Sequence, residues 1–210
     1  MSRSSFDQDD DRTIRYFTGL LSERGMNAQS LDWASKSSQA LRFSVLAQVG
    51  DLQHATVLDV GCGLGDFVEW LTEHGVAVDY TGIDITPLMI ESARQRFSQG
   101  FFHVQNLLRD NGQFAVTYDF VFASGLFYYR QIDPYGFLER MVTAMFERCR
   151  RALAFNSLSY WAPKLDPTEF HADPLKVLSI CKKLTPWVVL RHDYHPHDFS
   201  VYLYRERRTP

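Results

Sequence analysis

Cysteine is scarce in this chain: three in 210 residues, Cys62, Cys149 and Cys181, with no C-x-x-C pair. Such spacing argues against a zinc site or a disulfide framework and for a reducing, cytoplasmic compartment. An excess of positive charge is missing too. A net charge of −3 and a pI near 6.1 give no basic field to hold nucleic acid. Nor does any basic stripe with interleaved aromatics mark a single-strand channel. No apolar run approaches the length of a membrane span, so no membrane contact is expected. Met1–Arg12 is polar and acidic and is expected to be neither signal nor transit peptide. Internal repeats are absent.

What remains is a chain with a full core. Hydrophobic residues make up 45% and aromatics 14%, enough for one domain whose rings line a pocket or fill the interior. Residues 1–11 are Ser- and Asp-rich without periodicity, and read as a disordered N-terminus. Ile14, Phe17, Leu20 and Leu21 form a helical stripe closed by Gly25. A second helix is expected over about 37–49, with Gln39 and Arg42 on its polar face. Residues 12–50 thus read as a helical cap, and 51–210 as the main domain.

That domain is organised around residues 56–67. Val57, Leu58 and Val60 suit a buried parallel strand. Gly61, Gly63 and Gly65 follow, then Phe67, Val68, Trp70 and Leu71 at helical spacing. Strand, glycine turn and helix place free N–H groups and side-chain-free backbone where a ligand can approach. A second strand, Tyr80 to Ile85, carries Asp84 roughly 20 residues after Gly61, where nucleotide-binding units put a ribose-holding acid. The dinucleotide fingerprint G-x-G-x-x-G is not met: Asp66 stands where its last glycine belongs.

V-L-D-V-G-C-G-L-G, from Val57, resembles motif I of the class I S-adenosylmethionine-dependent methyltransferases. G-I-D-I-T-P-L-M-I, from Gly82, resembles their second motif. The motif resemblance covers roughly residues 55–160. It implies a doubly wound α/β fold: a mostly parallel seven-stranded sheet, last strand antiparallel, helices on both faces and an N-terminal helical extension. Expected strands are 56–60, 78–84, 101–105, 118–124, 151–155, 187–191 and 199–204. Expected helices are 65–74, 86–97, 134–149 and 174–184. The resemblance also implies the cofactor, S-adenosyl-L-methionine. Gly61, Cys62, Gly63 and Gly65 would pass under its methionine part and Asp59 would reach its amino group. Asp84 would hold the ribose, with Ile85 and Leu107 flanking the adenine. Asn106 stands where the family often has an Asp for the adenine amino group, and Ser124 ends the strand facing the methyl group. Arg42 would meet the cofactor carboxylate or an acidic substrate, or else be a solvated helix arginine.

The general base is not evident. Tyr128, His171 and His195 are candidates, each equally readable as wall or surface. Tyr129, Tyr160, His192 and His197 are open to the same reading. His195 and His197, with Pro196 between them and aspartates nearby, invite a metal, but the pattern constrains no ligand set, and no metal is expected. The segment after strand four lacks N/D-P-P-Y/F, a magnesium-binding acidic pair and paired glutamates. A small-molecule acceptor is therefore expected, methylated on O, N or C, by a monomer or homodimer. Two alternatives stay open: a cofactor-binding partner subunit without methyltransferase activity, and a nicotinamide-dependent oxidoreductase.

Overall fold

Four strands run parallel through the centre of the computed structural model, which describes residues 5–97, 101–109 and 116–208. They are β1 (Thr56–Val60), β2 (Asp79–Asp84), β3 (Phe101–Val104) and β4 (Tyr118–Ala123). β5 (Cys149–Leu158) continues them in parallel. β6 (Val188–Arg191) and β7 (Asp198–Tyr204) form an antiparallel pair, and β7 lies antiparallel to β5. The order is β3-β2-β1-β4-β5-β7-β6. This is the doubly wound sheet expected from the sequence, and its order reverses between β1 and β4. Ligands of open α/β sheets bind at that reversal, beyond the C-terminal strand ends.

Burial follows from the strand sequences. β1 and β4 are apolar on both faces because helices cover both. On one face, Phe43 and Leu46 of α2 (Lys36–Leu46), Phe67 and Leu71 of α3 (Asp66–Glu73) and Ile90 of α4 (Pro87–Arg96) pack together. On the other, Leu138, Val142 and Met145 of α5 (Pro134–Glu147) and Val177 of α6 (Pro174–Lys182) do so. Asp133 and Asp173 cap α5 and α6 by accepting backbone N–H groups, and proline opens each helix.

Two differences from the sequence expectation matter for the site. α1 runs from Ser5 to Arg24, so part of the stretch read as disordered is helical, while residues 1–4 lie outside the described residues. Its apolar stripe docks Leu21 against Leu64 and Met89, above the glycine turn. Asp9, buried, accepts from the Ile132 N–H, and Tyr16 stacks on Tyr129 at 4.8 Å. Such tertiary contacts, not composition, hold the acidic start of the helix. β5 is also longer than expected, reaching Leu158 because β7 pairs along it up to Asp198. That extension carries Asn156 and Ser157 into the ligand side of the sheet.

Candidate functional site

The glycine turn leaves β1 with three residues in the left-handed region, Gly61 (φ 75°), Gly63 (φ 53°) and Gly65 (φ 79°). L side chains rarely adopt such backbone. The Gly61 and Cys62 N–H groups donate to the Ile83 carbonyl at 2.8 and 3.1 Å, fastening the turn to β2. Gly61, Cys62 and Gly63 line a cavity of about 1070 Å³, counting its mouth. Gly65 does not. A Cβ there would lie 2.9 Å from the Phe97 ring and 3.1 Å from Phe102, so this glycine serves helix-on-sheet packing.

Asp84 reaches the same cavity from the end of β2. It accepts the Gly63 N–H at 3.1 Å and the Thr86 N–H at 2.7 Å, tying the turn to the start of α4. Burial raises its pKa, partly offset by those bonds. Asp59, on β1, also lines the cavity. Tyr80 donates its hydroxyl to Asp59 Oδ2 at 2.6 Å, while Asp59 Oδ1 is buried without a partner. Burial lifts Asp59 to about 7, and the neighbouring Asp84 and Asp66 carboxylates push the same way. Asp66, in place of the dinucleotide glycine, accepts from Gln39 (3.0 Å) and Arg96 (2.6 Å).

Ile85, Asn106, Leu107 and Ser124 line the cavity as well. The Ser124 hydroxyl is buried and unpartnered. Asn106 spends its oxygen on the Leu108 N–H at 2.9 Å and donates to Asp10 at 2.8 Å. Asp10 itself faces the cavity from α1 and pairs with Arg109 at 2.7 Å. Sequence reasoning missed Asp10 because it falls in a stretch whose composition reads as disordered. No local signal marks it.

Arg42 is elsewhere. It is 5% exposed, ion-paired with buried Asp198, and hydrogen-bonded to Ser38, with its Nε unpartnered. It lines a second cavity of about 620 Å³, with Asn156, Ser157, Glu169 and Asp198. Leu31, Trp33, Gly125 and Tyr128 line both cavities. Tyr128 is 3.4 Å from Asp32, which also accepts the Tyr16 hydroxyl at 2.6 Å. Burial and that carboxylate hold the Tyr128 phenol far above its ordinary pKa, so it is a neutral hydrogen-bonding group. Tyr16 is pushed up to about 12 in the same way.

Neither histidine candidate lines either cavity. His171 Nε2 accepts the Asp166 N–H at 3.2 Å and lies 3.3 Å from Glu169, leaving a buried Nδ1 without a partner. His195 Nδ1 lies 3.0 Å from Asp198. Burial and nearby Arg42 lower its pKa, against the pull of Asp198. Its ring is 5.5 Å from that of His197. Among the described residues no three metal-ligating side chains cluster, and no helix is long and apolar enough to cross a membrane.

Comparison with known proteins bears on this site. Residues 57–155 match the family model described as a methyltransferase domain. A protein of Mycobacterium tuberculosis named as a methyltransferase is 29% identical over 159 residues, spanning 70% of this chain and 90% of that one. A malonyl-[acyl-carrier protein] O-methyltransferase of Acetivibrio thermocellus is 28% identical over 64% of this chain and 47% of its own length. Among solved structures, magnesium protoporphyrin IX methyltransferase from Synechocystis with bound S-adenosylmethionine superposes with a TM-score of 0.67. It is 20% identical, over 94% of this chain and 97% of that one.

Proposed function

We propose a small-molecule acceptor for this chain, which belongs to the class I S-adenosylmethionine-dependent methyltransferases. Its cofactor is S-adenosyl-L-methionine. The observation that carries our assignment of the site is one cavity bringing together Gly61, Gly63, Asp84 and the unpartnered Asp59 Oδ1. Those residues fit the cofactor. A lone buried carboxylate oxygen is costly unless a donor meets it, and the cofactor's ammonium is such a donor. At Gly63 a Cβ would come within 2.7 Å of Leu31, so only glycine leaves the turn bare for close approach.

Within this reading Asp59 holds the cofactor's amino group and Asp84 its ribose hydroxyls. Ile85 and Leu107 flank the adenine, and Asn106 with Asp10 faces its amino edge. Ser124 stands at the end of β4, and Gly65 and Arg42 take no part in cofactor binding. When bound, the cofactor supplies an electrophilic methyl group on a sulfonium. That reactivity needs little chemical help, so the protein's work is to align an acceptor O, N or C atom and exclude water. α1 contributes by roofing the cavity with Thr13 and Phe17. The helical cap of residues 12–50 then acts as a cover over the main domain.

The reading is tested by titrating the protein with S-adenosylmethionine in a calorimeter and measuring S-adenosylhomocysteine release over an acceptor panel. Saturable binding with acceptor-dependent release is expected. No heat of binding at millimolar cofactor would overturn it.

A further inference from the structure

We propose that the second cavity holds the methyl acceptor and that this acceptor is an uncharged polyhydroxylated ring, a sugar or a sugar-bearing molecule. The proposal rests on the methyltransferase reading above. The cavity's volume lies within the range of small-molecule sites. It shares Leu31, Trp33, Gly125 and Tyr128 with the cofactor cavity, so the two lie side by side and a molecule filling it sits next to the methyl donor's site.

Its lining is unusual in leaving two buried donors unused. Arg42 and Asn156 are only 5% and 2% exposed. Arg42 engages Ser38 and Asp198 through its terminal nitrogens, and its Nε–H has no partner. Asn156 Oδ1 accepts the Gly125 N–H at 2.8 Å, and its Nδ2 has no partner. A donor buried without a partner is costly, and a ligand oxygen would relieve that cost. The same cavity is lined by acceptors, the acidic residues Asp32, Glu169 and Asp198. Arg42, the cation among the lining residues, is already paired with Asp198, and Asp32 is paired with Arg24, so the lining offers an anionic acceptor no unpaired cation. Groups that both donate and accept suit this mixture, and hydroxyls do both. Trp33 is half-buried and lines both cavities with the Arg42 guanidinium 5.4 Å over its ring, so a sugar ring packed beside it gains apolar contact next to the Arg42 donor. Gly125 makes room for it, since a Cβ there would lie 2.8 Å from the indole. A planar hydrocarbon would satisfy Trp33 and leave both donors stranded.

In the reaction an acceptor hydroxyl oxygen bonds to the methyl carbon as the sulfur–methyl bond breaks. The bonding pair stays on sulfur, giving the neutral thioether. The hydroxyl proton passes to a lining carboxylate, Asp32 or Glu169, and then to water. Burial raises the Glu169 pKa, which suits a proton acceptor nearer neutral pH.

The test uses the full chain with S-adenosylhomocysteine bound, and methyl glycosides of common hexoses and deoxyhexoses as probes in saturation-transfer NMR. Benzoate, succinate and catechol serve as the anionic and planar comparisons. Glycosides are expected to show transfer, and with S-adenosylmethionine to yield methyl ethers by mass spectrometry. Asn156→Asp keeps the acceptor for Gly125 while removing the free donor. It should raise the glycoside KM about tenfold and leave cofactor affinity unchanged within a factor of about two. Should that variant fail to fold, the wild-type NMR comparison decides alone. Cofactor binding with no glycoside contact, or turnover only of carboxylates or catechol, overturns the proposal and leaves the methyltransferase reading standing. Absence of cofactor binding overturns both.

Discussion

Replacing Asp84 by alanine probes the cofactor site at its most connected atom pair. One carboxylate oxygen accepts the Gly63 N–H at 3.1 Å and the other accepts the Thr86 N–H at 2.7 Å. The alanine variant frees both donors and removes the hydrogen-bond acceptor offered to the ribose. Loss of charge-assisted hydrogen bonds to a sugar hydroxyl costs about 1–3 kcal/mol, or roughly 5- to 150-fold in affinity. Asp84→Asn keeps one oxygen for the backbone, and its effect should be smaller. Calorimetric titration with S-adenosylmethionine measures both, with circular dichroism checking that each variant folds. Unchanged affinity in a folded Asp84→Ala protein would refute the placing of Asp84 against the cofactor.

Other perturbations give distinct readings. Asp59 sits at about 7 in the fold against 3.8 ordinarily, so its protonated form is favoured in the native state. Its contribution to stability is therefore fully present below about pH 4 and is lost as pH rises through about 7. Thermal melting of the cofactor-free protein should show that loss, and Asp59→Asn should flatten it. Cofactor affinity should rise between about pH 5.5 and about pH 7, as the carboxylate ionises to meet an ammonium, and the asparagine variant should lack that slope. Gly63→Val meets both a left-handed φ and the Leu31 side chain, and should abolish cofactor binding with the circular dichroism spectrum retained. Arg42→Ala leaves buried Asp198 with His195 Nδ1 as its remaining partner, and should cost up to about 3–5 kcal/mol in chemical denaturation.

The parts of this protein that could be read in its sequence are the local ones. β1, the glycine turn, α3 and Asp84 stand close together in the chain, and their order alone specifies a nucleotide-binding unit. The expected helices 86–97, 134–149 and 174–184 are α4, α5 and α6, each with proline in its first turn. What escaped depends on partners far off in sequence. Arg42 looked like a polar helix face until Asp198, 156 residues on, buried it. Gly65 belonged to the same glycine pattern as its neighbours, yet Phe97 and Phe102 decide its role. Asn156 became part of a cavity only because β7 lengthened β5. Asp10 faces the cavity beside Asn106 because α1 docks there, which no propensity of an acidic stretch foretells.

A crystal structure grown with S-adenosylhomocysteine tests the central claim most directly. Density should lie over Gly61 and Gly63, with the ribose hydroxyls on Asp84 and the amino group on the free Asp59 oxygen. Density bound away from that turn, with Asp59 Oδ1 still unmet, would contradict the account.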